Sequence, residues 1–233
     1  MKLFYDLHIH SALSPCGDED MTPNNIVNMA KLKGLDVIAV TDHNSCGNLR
    51  AVTEAAGDRL LVVPGMEIET AEEIHVLGYF PTIDRAEAMW NTVKAHRTLV
   101  KNRPEIFGRQ LYLDAQDEIV GQEEYLLVTA TTLTLNQVFD EIRRLGGVPV
   151  PAHIDRSSYS VISNLGFLPP ELCAGAVEIT AANRERWQTE YSDMEIITSS
   201  DAHYLGDIAE PEQYMDINAK TTAEILEKLT KKK

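Results

Sequence analysis

The stretch D-L-H-I-H-S at residues 6–11 sets two histidines one residue apart, at the end of an apolar run that starts with Phe4 and Tyr5. Side chains alternate along a strand with a period of two, so His8 and His10 face one side and can grip a single metal ion. The same pattern also occurs in ordinary surface strands, and the rest of the chain has to decide. It does so by repetition. Six of the seven histidines, His8, His10, His43, His75, His153 and His203, fall in or beside predicted strands. Three have an acid close by, as Asp42-His43, His153-x-Asp155 and Asp201-x-His203. A core histidine would stand alone with its ring nitrogens satisfied by backbone, so this clustering predicts a site.

The strands come from a recurring design: a short apolar run, then polar or ionisable residues, then a helix-forming stretch. It appears as DVIAVTDHN (36–44), LLVVPGMEIET (60–70), GVPVPAHID (147–155), GAVEITAAN (175–183) and MEIITSSDAH (194–203). Such alternation predicts parallel strands in βα units, and in barrels of that kind the C-terminal ends of the strands carry the chemistry. The helices between them are well marked. TPNNIVNMAKLKG opens with Thr22 as N-cap and Pro23 at the first position, carries an Ile26, Met29, Ala30 stripe and stops at Gly34. TLNQVFDEIRRLGG aligns Leu135, Val138, Phe139, Ile142 and Leu145 on one face and ends at Gly146 and Gly147. Both stripes read as core. Residues 84–133 are less regular: a helix over 85–103 precedes a Gly-, Pro- and acid-containing stretch, which predicts an insertion or small subdomain within a single domain spanning 1–233.

Composition bounds the function. The chain has 233 residues, 44% of them hydrophobic, enough for a buried core. Its 36 acidic against 21 basic residues give a net charge of -15, which disfavours long nucleic acid and acidic membranes as partners. An anionic substrate stays open, because metal ions can invert the local field. The three lysines at 231–233 read as a solvated end. Cys16, Cys46 and Cys173 are odd in number and widely spaced, which fits a reducing compartment better than a disulfide framework. Residues 1–10 have neither the basic start nor the apolar centre of a signal peptide, and no apolar stretch reaches membrane-spanning length, so the expectation is a cytoplasmic soluble protein.

Glu67 follows an apolar run broken by Pro64 and Gly65, where a strand end would present a ligand; Glu69 reads as structural. Nitrogen and oxygen donors in this number suit Zn, Mn or Fe. One ion cannot use six histidines and two carboxylates, so two or three divalent ions bridged by a carboxylate and by water or hydroxide are implied.

DLHIHS, TDHN, PGMEIE, IHVLGYF, PAHID and SSDAH together, in this order, resemble the polymerase and histidinol phosphatase (PHP) domain family over residues 3 to about 205. The resemblance implies a distorted (β/α)7 barrel with a trinuclear site at the strand C-terminal ends, acting on phosphate esters. It implies that His8, His10, Glu67 and Asp201 hold one ion, that Glu67 bridges to a second held by His75 and His153, and that His43 and His203 hold a third. The remaining ligand of that third site would come from the loop SALSPCGDEDMTP, where this chain departs from the family pattern. Asp18 is favoured there over Cys16, with Asp20 behind both.

Three divalent ions bring about +6 and the ligands Glu67, Asp201 and Asp18 return about -3, leaving a pocket near +3 that attracts phosphate in an acidic protein. Arg156 is the first candidate for a bidentate phosphate clamp and Arg109 the second. Asp42, Asp155 and Glu178 read as groups that orient imidazoles. His96 reads as a solvated helix-face residue and Cys46 as a small buried one. The expected reaction is hydrolysis of a small phosphorylated substrate by a bridging hydroxide, with Glu67 and Asp201 organising the ions and His203 as proton donor to the leaving oxygen only where it is not fully occupied as a ligand. Two other readings stay open: a C–N hydrolase of the amidohydrolase type, which has no need for His43, His203 and the 14–20 loop acid, and a metal-stabilised regulatory module without turnover.

Overall fold

Pro64 divides the 60–70 run into two strands that go to different sheets, and that division shapes the molecule. The computed structural model describes residues 1–180 and 184–230; the end of the GAVEITAAN run and the three terminal lysines lie outside the described residues. Before Pro64, β3 (Leu61–Val62) runs parallel to β2 (Val37–Val40), which is parallel to β1 (Lys2–Ile9). With β11 (Tyr214–Asp216) antiparallel to β1, these make a four-stranded sheet in the order β11-β1-β2-β3. After Pro64, β4 (Gly65–Glu69) turns back into β5 (His75–Tyr79), and β5 pairs antiparallel with β8 (Val148–Pro151). A parallel pair, β9 (Ala176–Glu178) and β10 (Glu195–Ile197), and a hairpin, β6 (Leu111–Leu113) with β7 (Ile119–Gln122), complete the described strands.

The all-parallel expectation therefore gives way to a mixed α/β arrangement. Isolated bridges join the sheets at the histidine-bearing end, from His43 to Glu67 and from Ile9 to Ala202. No continuous ladder among the described residues closes them into the expected (β/α)7 barrel. The reversal of β5 also has a consequence for the site. His75 stands at the first residue of its strand, and it shares an end with Glu67 and Glu69 because the two strands are antiparallel.

The helices follow their sequence signals closely. In α1 (Pro23–Leu32) the Thr22 hydroxyl accepts the Asn25 N–H, Ile26, Val27 and Ala30 are buried, and Gly34 turns the chain away at φ +79°. In α5 (Leu135–Arg144) Thr134 and Gln137 form a capping box, and Leu135, Val138, Phe139 and Ile142 are buried towards β5 and β8. Each such side chain contributes about 1.5–3 kcal/mol on burial. The helix expected over 85–103 is shorter: α3 (Ile83–His96) stops because Arg97 and Lys101 extend to bridge Thr131 and Tyr125. Residues 84–133 are stitched to the main body by Asn48, whose amide donates to the Leu111 carbonyl at 3.0 Å and accepts the Leu113 N–H at 2.9 Å. No described helix is long and apolar enough to cross a membrane.

Two apolar clusters hold the strands. One gathers Leu3, Tyr5, Leu7, Ala39, Leu77, Tyr79, Val150, Ala176 and Ile197 from strands of three sheets; the other packs Ile9, Val40, Met66 and Val76 against the helices. Leu7 and Ile9 fall in different clusters, and the register of β1 against β2 shifts between Asp6 and Ile9; such irregularities re-aim side chains. His8 lies within that span and His10 just beyond it. The buried Tyr79 hydroxyl donates to the Leu7 carbonyl at 2.9 Å and ties β5 to β1 just before the histidines. Tyr79→Phe should lower stability by about 1–3 kcal/mol, because the Leu7 oxygen loses a buried partner. Urea unfolding would read this as a lower midpoint at constant slope.

Candidate metal centre

The Glu67 carboxylate is buried among imidazoles. Its Oε1 lies 2.8 Å from His75 Nδ1, 3.3 Å from His153 Nε2 and 3.4 Å from His8 Nε2. Its Oε2 lies 2.9 Å from His43 Nδ1 and 3.4 Å from His10 Nε2, yet has no hydrogen bond. Burial opposes ionisation of Glu67, but His75, His8 and His43 outweigh it and hold the carboxyl well below the usual glutamate range. Asp201 adds a second carboxylate, with Oδ1 3.2 Å from His8 Nε2 and 3.0 Å from His10 Nε2. Despite burial it too is held low, chiefly by His8 and His10.

Hydrogen bonds behind the rings decide which nitrogens face this centre. His8 Nδ1 lies 3.0 Å from Glu178 Oε2, and Glu178 also accepts the His153 N–H at 3.0 Å. His10 Nδ1 lies 2.9 Å from Ser14 Oγ, whose own hydroxyl donates to Asp42 at 2.7 Å. A Ser14 hydroxyl already committed to Asp42 can only accept from His10, so His10 carries its proton on Nδ1 and presents a bare Nε2. Glu178 imposes the same tautomer on neutral His8. The two Nε2 atoms then face each other at 3.2 Å. Lone pairs at that distance repel unless a proton or a metal ion lies between them. Two nitrogens held about 2.1 Å from one tetrahedral ion are about 3.4 Å apart, which fits this pair. Among the described residues, three groups have ligand atoms mutually within 4.8 Å: His8, His10 and Asp201; His43, Glu67 and His75; and His10, His43 and His203. The donor set fits divalent ions.

Backbone strain accompanies the cluster. His153 at φ +27° and Asp201 at φ +53° occupy a region costly for residues other than glycine, of order 1–3 kcal/mol each. The Asp201 loop is held by Asp6, which accepts from the Ser200 N–H at 3.0 Å, the Ser200 hydroxyl at 2.6 Å and the Ala209 N–H at 2.9 Å. Sequence reasoning missed Asp6, Ser14 and Tyr159, which stacks on His75 with ring centroids 4.9 Å apart. A buried acid amid the apolar β1 run was a visible signal for Asp6; Ser14 and Tyr159 carried none.

Of the other expected residues, Arg156 pairs with Asp201 beside the histidines. It lines a cleft of about 180 Å³ with His43, His75, His153, Tyr159 and His203. Arg109 pairs instead with Glu19 at 3.3 Å on an exposed surface, and no residue of 84–133 lines the cleft. Asp155 accepts from the Thr180 N–H and hydroxyl, bracing the loop after His153. The Asp18 carboxylate accepts the Asp20 N–H at 2.9 Å, closing a local turn, whereas the charges of His203 and His43 act on the Cys16 thiol. Burial pushes the Cys16 thiol up, but these two imidazoles outweigh it and bring it down to about 6. His96 is exposed and Cys46 buried, as expected.

The PHP domain family profile matches residues 6–232. The chain belongs to the PHP domain family. Among its relatives, the 5'-3' exoribonuclease Rnm of Salmonella typhimurium is 34% identical over 82 residues, covering 33% of this chain and 27% of Rnm. The stretches matched make up 11%, 27% and 48% of three curated relatives, so this chain matches less than half the length of each. The lesion-specific endonuclease PfuEndoQ of Pyrococcus furiosus superposes with a TM-score of 0.71 at 18% identity, over 99% of this chain and 56% of that one. A Bifidobacterium adolescentis protein described as a metal-dependent phosphoesterase gives 0.64 at 20% identity, over 95% and 94%. These likenesses support a PHP-type α/β fold. They lend nothing to the expectation, drawn from net charge, that long nucleic acid is disfavoured.

A thiol held near 6 is largely thiolate at neutral pH. Alkylation of Cys16 in metal-free protein should therefore be fast above pH about 6 and fall as pH drops through that value, with the exposed Cys173 as reference. Mass-resolved iodoacetamide labelling across pH would check this; a Cys16 profile like that of an ordinary thiol would contradict it.

Proposed function

We propose that the protein is a metal-dependent hydrolase of phosphate esters, with His8, His10, Glu67 and Asp201 holding one ion, Glu67, His75 and His153 a second, and His43 and His203 a third. The observation that carries this reading is the convergence of His8 Nε2 and His10 Nε2 at 3.2 Å, with Asp201 Oδ1 as third donor at 3.0 and 3.2 Å. Bound divalent ions would supply Lewis-acid activation of water and neutralise charge on the phosphoryl group.

The chain's own residues do the rest. Arg156, half-exposed at the rim, can keep one guanidinium edge on Asp201 and turn its remaining donors to the non-bridging phosphate oxygens. His203 Nδ1 is engaged by the Asp201 carbonyl at 2.8 Å, which fixes its ring at the outer edge of the cleft and leaves Nε2 to hold an ion. Tyr159, 48% exposed, offers a flat apolar wall beside the same opening. A cleft of about 180 Å³ is smaller than the usual small-molecule pocket of about 300–1,000 Å³. It therefore seats the phosphoryl group and leaves the organic part of the substrate at the rim. The third histidine group favours a phosphoesterase over a C–N hydrolase, which needs no donors at His43 and His203.

The test is hydrolysis of p-nitrophenyl phosphate, bis-p-nitrophenyl phosphate and a short single-stranded oligonucleotide, before and after chelation and after return of Mn, Fe or Zn. Chelator-sensitive turnover of at least one ester is expected, and metal-loaded protein inert on all three would overturn the reading. Arg156→Ala should raise KM about 10- to 100-fold with a smaller loss in kcat, since a charged hydrogen bond of about 1.5–3 kcal/mol to phosphate is removed from ground and transition states alike.

A further inference from the structure

Tyr159 sits at φ +53°, a backbone region that suits glycine or asparagine and is costly for a bulky aromatic residue. The turn that carries it is braced along its length. The Arg156 N–H donates to the His153 carbonyl at 2.9 Å, and the Ser160 hydroxyl donates to the Arg156 carbonyl at 2.8 Å. The Tyr159 carbonyl accepts the His75 N–H at 3.0 Å, and Ser160 caps the short helix Val161–Leu165. These contacts set the Tyr159 ring on the His75 ring, with centroids 4.9 Å and planes 24° apart, at the cleft that Arg156 also lines. The side chain stays 48% exposed, and among the described residues no second ring stacks on it and no group bonds its hydroxyl. A singly exposed aromatic needs no explanation. One fixed at the edge of a cleft against backbone strain does, and such strain persists where a site depends on the placement.

We propose that Tyr159 is a specificity-determining residue that stacks a planar aromatic ring carried by the phosphate ester, so that aryl or nucleoside phosphates are taken in preference to aliphatic ones. The proposal rests on the metal-hydrolase reading above. A cleft of about 180 Å³ seats the phosphoryl group and leaves the organic part at the rim, where Arg156 and Tyr159 stand three residues apart on one braced turn. Arg156 answers the charge of the phosphate and Tyr159 the flat face of the ring attached to it. Stacking of this kind reads a π-face rather than a hydrogen-bond pattern, so it selects aromatic over aliphatic esters and tolerates many rings.

Titration calorimetry of the metal-loaded full-length protein with methylphosphonate, phenylphosphonate and the phosphonate analogue of adenosine 5'-monophosphate tests it, since none of the three carries a hydrolysable phosphate ester. In wild type at least one ring-bearing ligand should bind about 5- to 100-fold more tightly than methylphosphonate, the range for a ring stacked on an aromatic side chain. Tyr159→Leu should lose that advantage and Tyr159→Trp should keep it. An advantage for phenylphosphonate places the ring directly on the phosphorus, and one for the nucleoside analogue alone places it beyond a sugar. A residue that merely shields His75 would weaken all three ligands together when changed to leucine. An unchanged ratio of Kd values in folded Tyr159→Leu, or equal binding of the three ligands by wild type, would therefore overturn the stacking role and leave the hydrolase reading standing. Binding of none of the three would also overturn it, and would take the hydrolase reading with it where the esters named above go unhydrolysed too.

Discussion

A buried glutamate with five imidazoles within 3.4 Å of its two oxygens is the constraint on which the rest of the site depends. Glu67 is almost fully buried, and an ionised carboxylate in that position is costly unless positive charge surrounds it. Histidine rings alone can provide it only by taking up protons, and the rings respond unequally. Burial, with His43 and His203 beside it, holds His10 well below the usual imidazole value, whereas Glu178, Asp201 and Glu67 overcome burial and raise His8. Divalent ions satisfy the same carboxylate without protonating any ring and relieve the facing nitrogens of His8 and His10. The outer hydrogen bonds of Glu178, Ser14 and Asp42 are arranged for that outcome, since they fix ring tautomers with the free nitrogen inward.

The fold serves this constraint by bringing distant segments to one end. β1 delivers His8 and His10, the end of β2 delivers His43, and the β4–β5 hairpin brings Glu67 and His75 into register with the antiparallel β8, which leads to His153. Asp6, two residues before His8, anchors the Asp201 loop, so a single strand both carries His8 and positions Asp201 almost two hundred residues away. The acidic surface is no obstacle to an anionic substrate, because the field that matters is that of the filled cleft.

Much of the site could be read before the fold was known, because ligand chemistry is local. Six histidines, Glu67 and Asp201 were marked by residue type and by strand-end position alone. What the sequence concealed depends on the path of the chain. The expectation of parallel βα units did not anticipate the β4–β5 hairpin, although residues 70–74 are too few for a crossover between parallel strands, and that short connection was the available signal. No local pattern announced that Asp18 would close its own turn on Asp20 while Gly17 folds the loop against Ser11. The helices at 22–34 and 134–147 carried caps and stripes strong enough to be placed from sequence, whereas α3 ended early because Arg97 found a strand partner that no local pattern announces.

The measurement that bears most directly on this account is metal content by elemental mass spectrometry, comparing the wild-type chain with Glu67→Gln after identical loading and desalting. If Glu67 bridges the cluster, wild type retains two or three ions per chain and the amide variant, its bridging charge removed, loses at least one of them while remaining folded by circular dichroism. An unchanged metal complement in folded Glu67→Gln, or less than one ion per chain in wild type after loading, would contradict it.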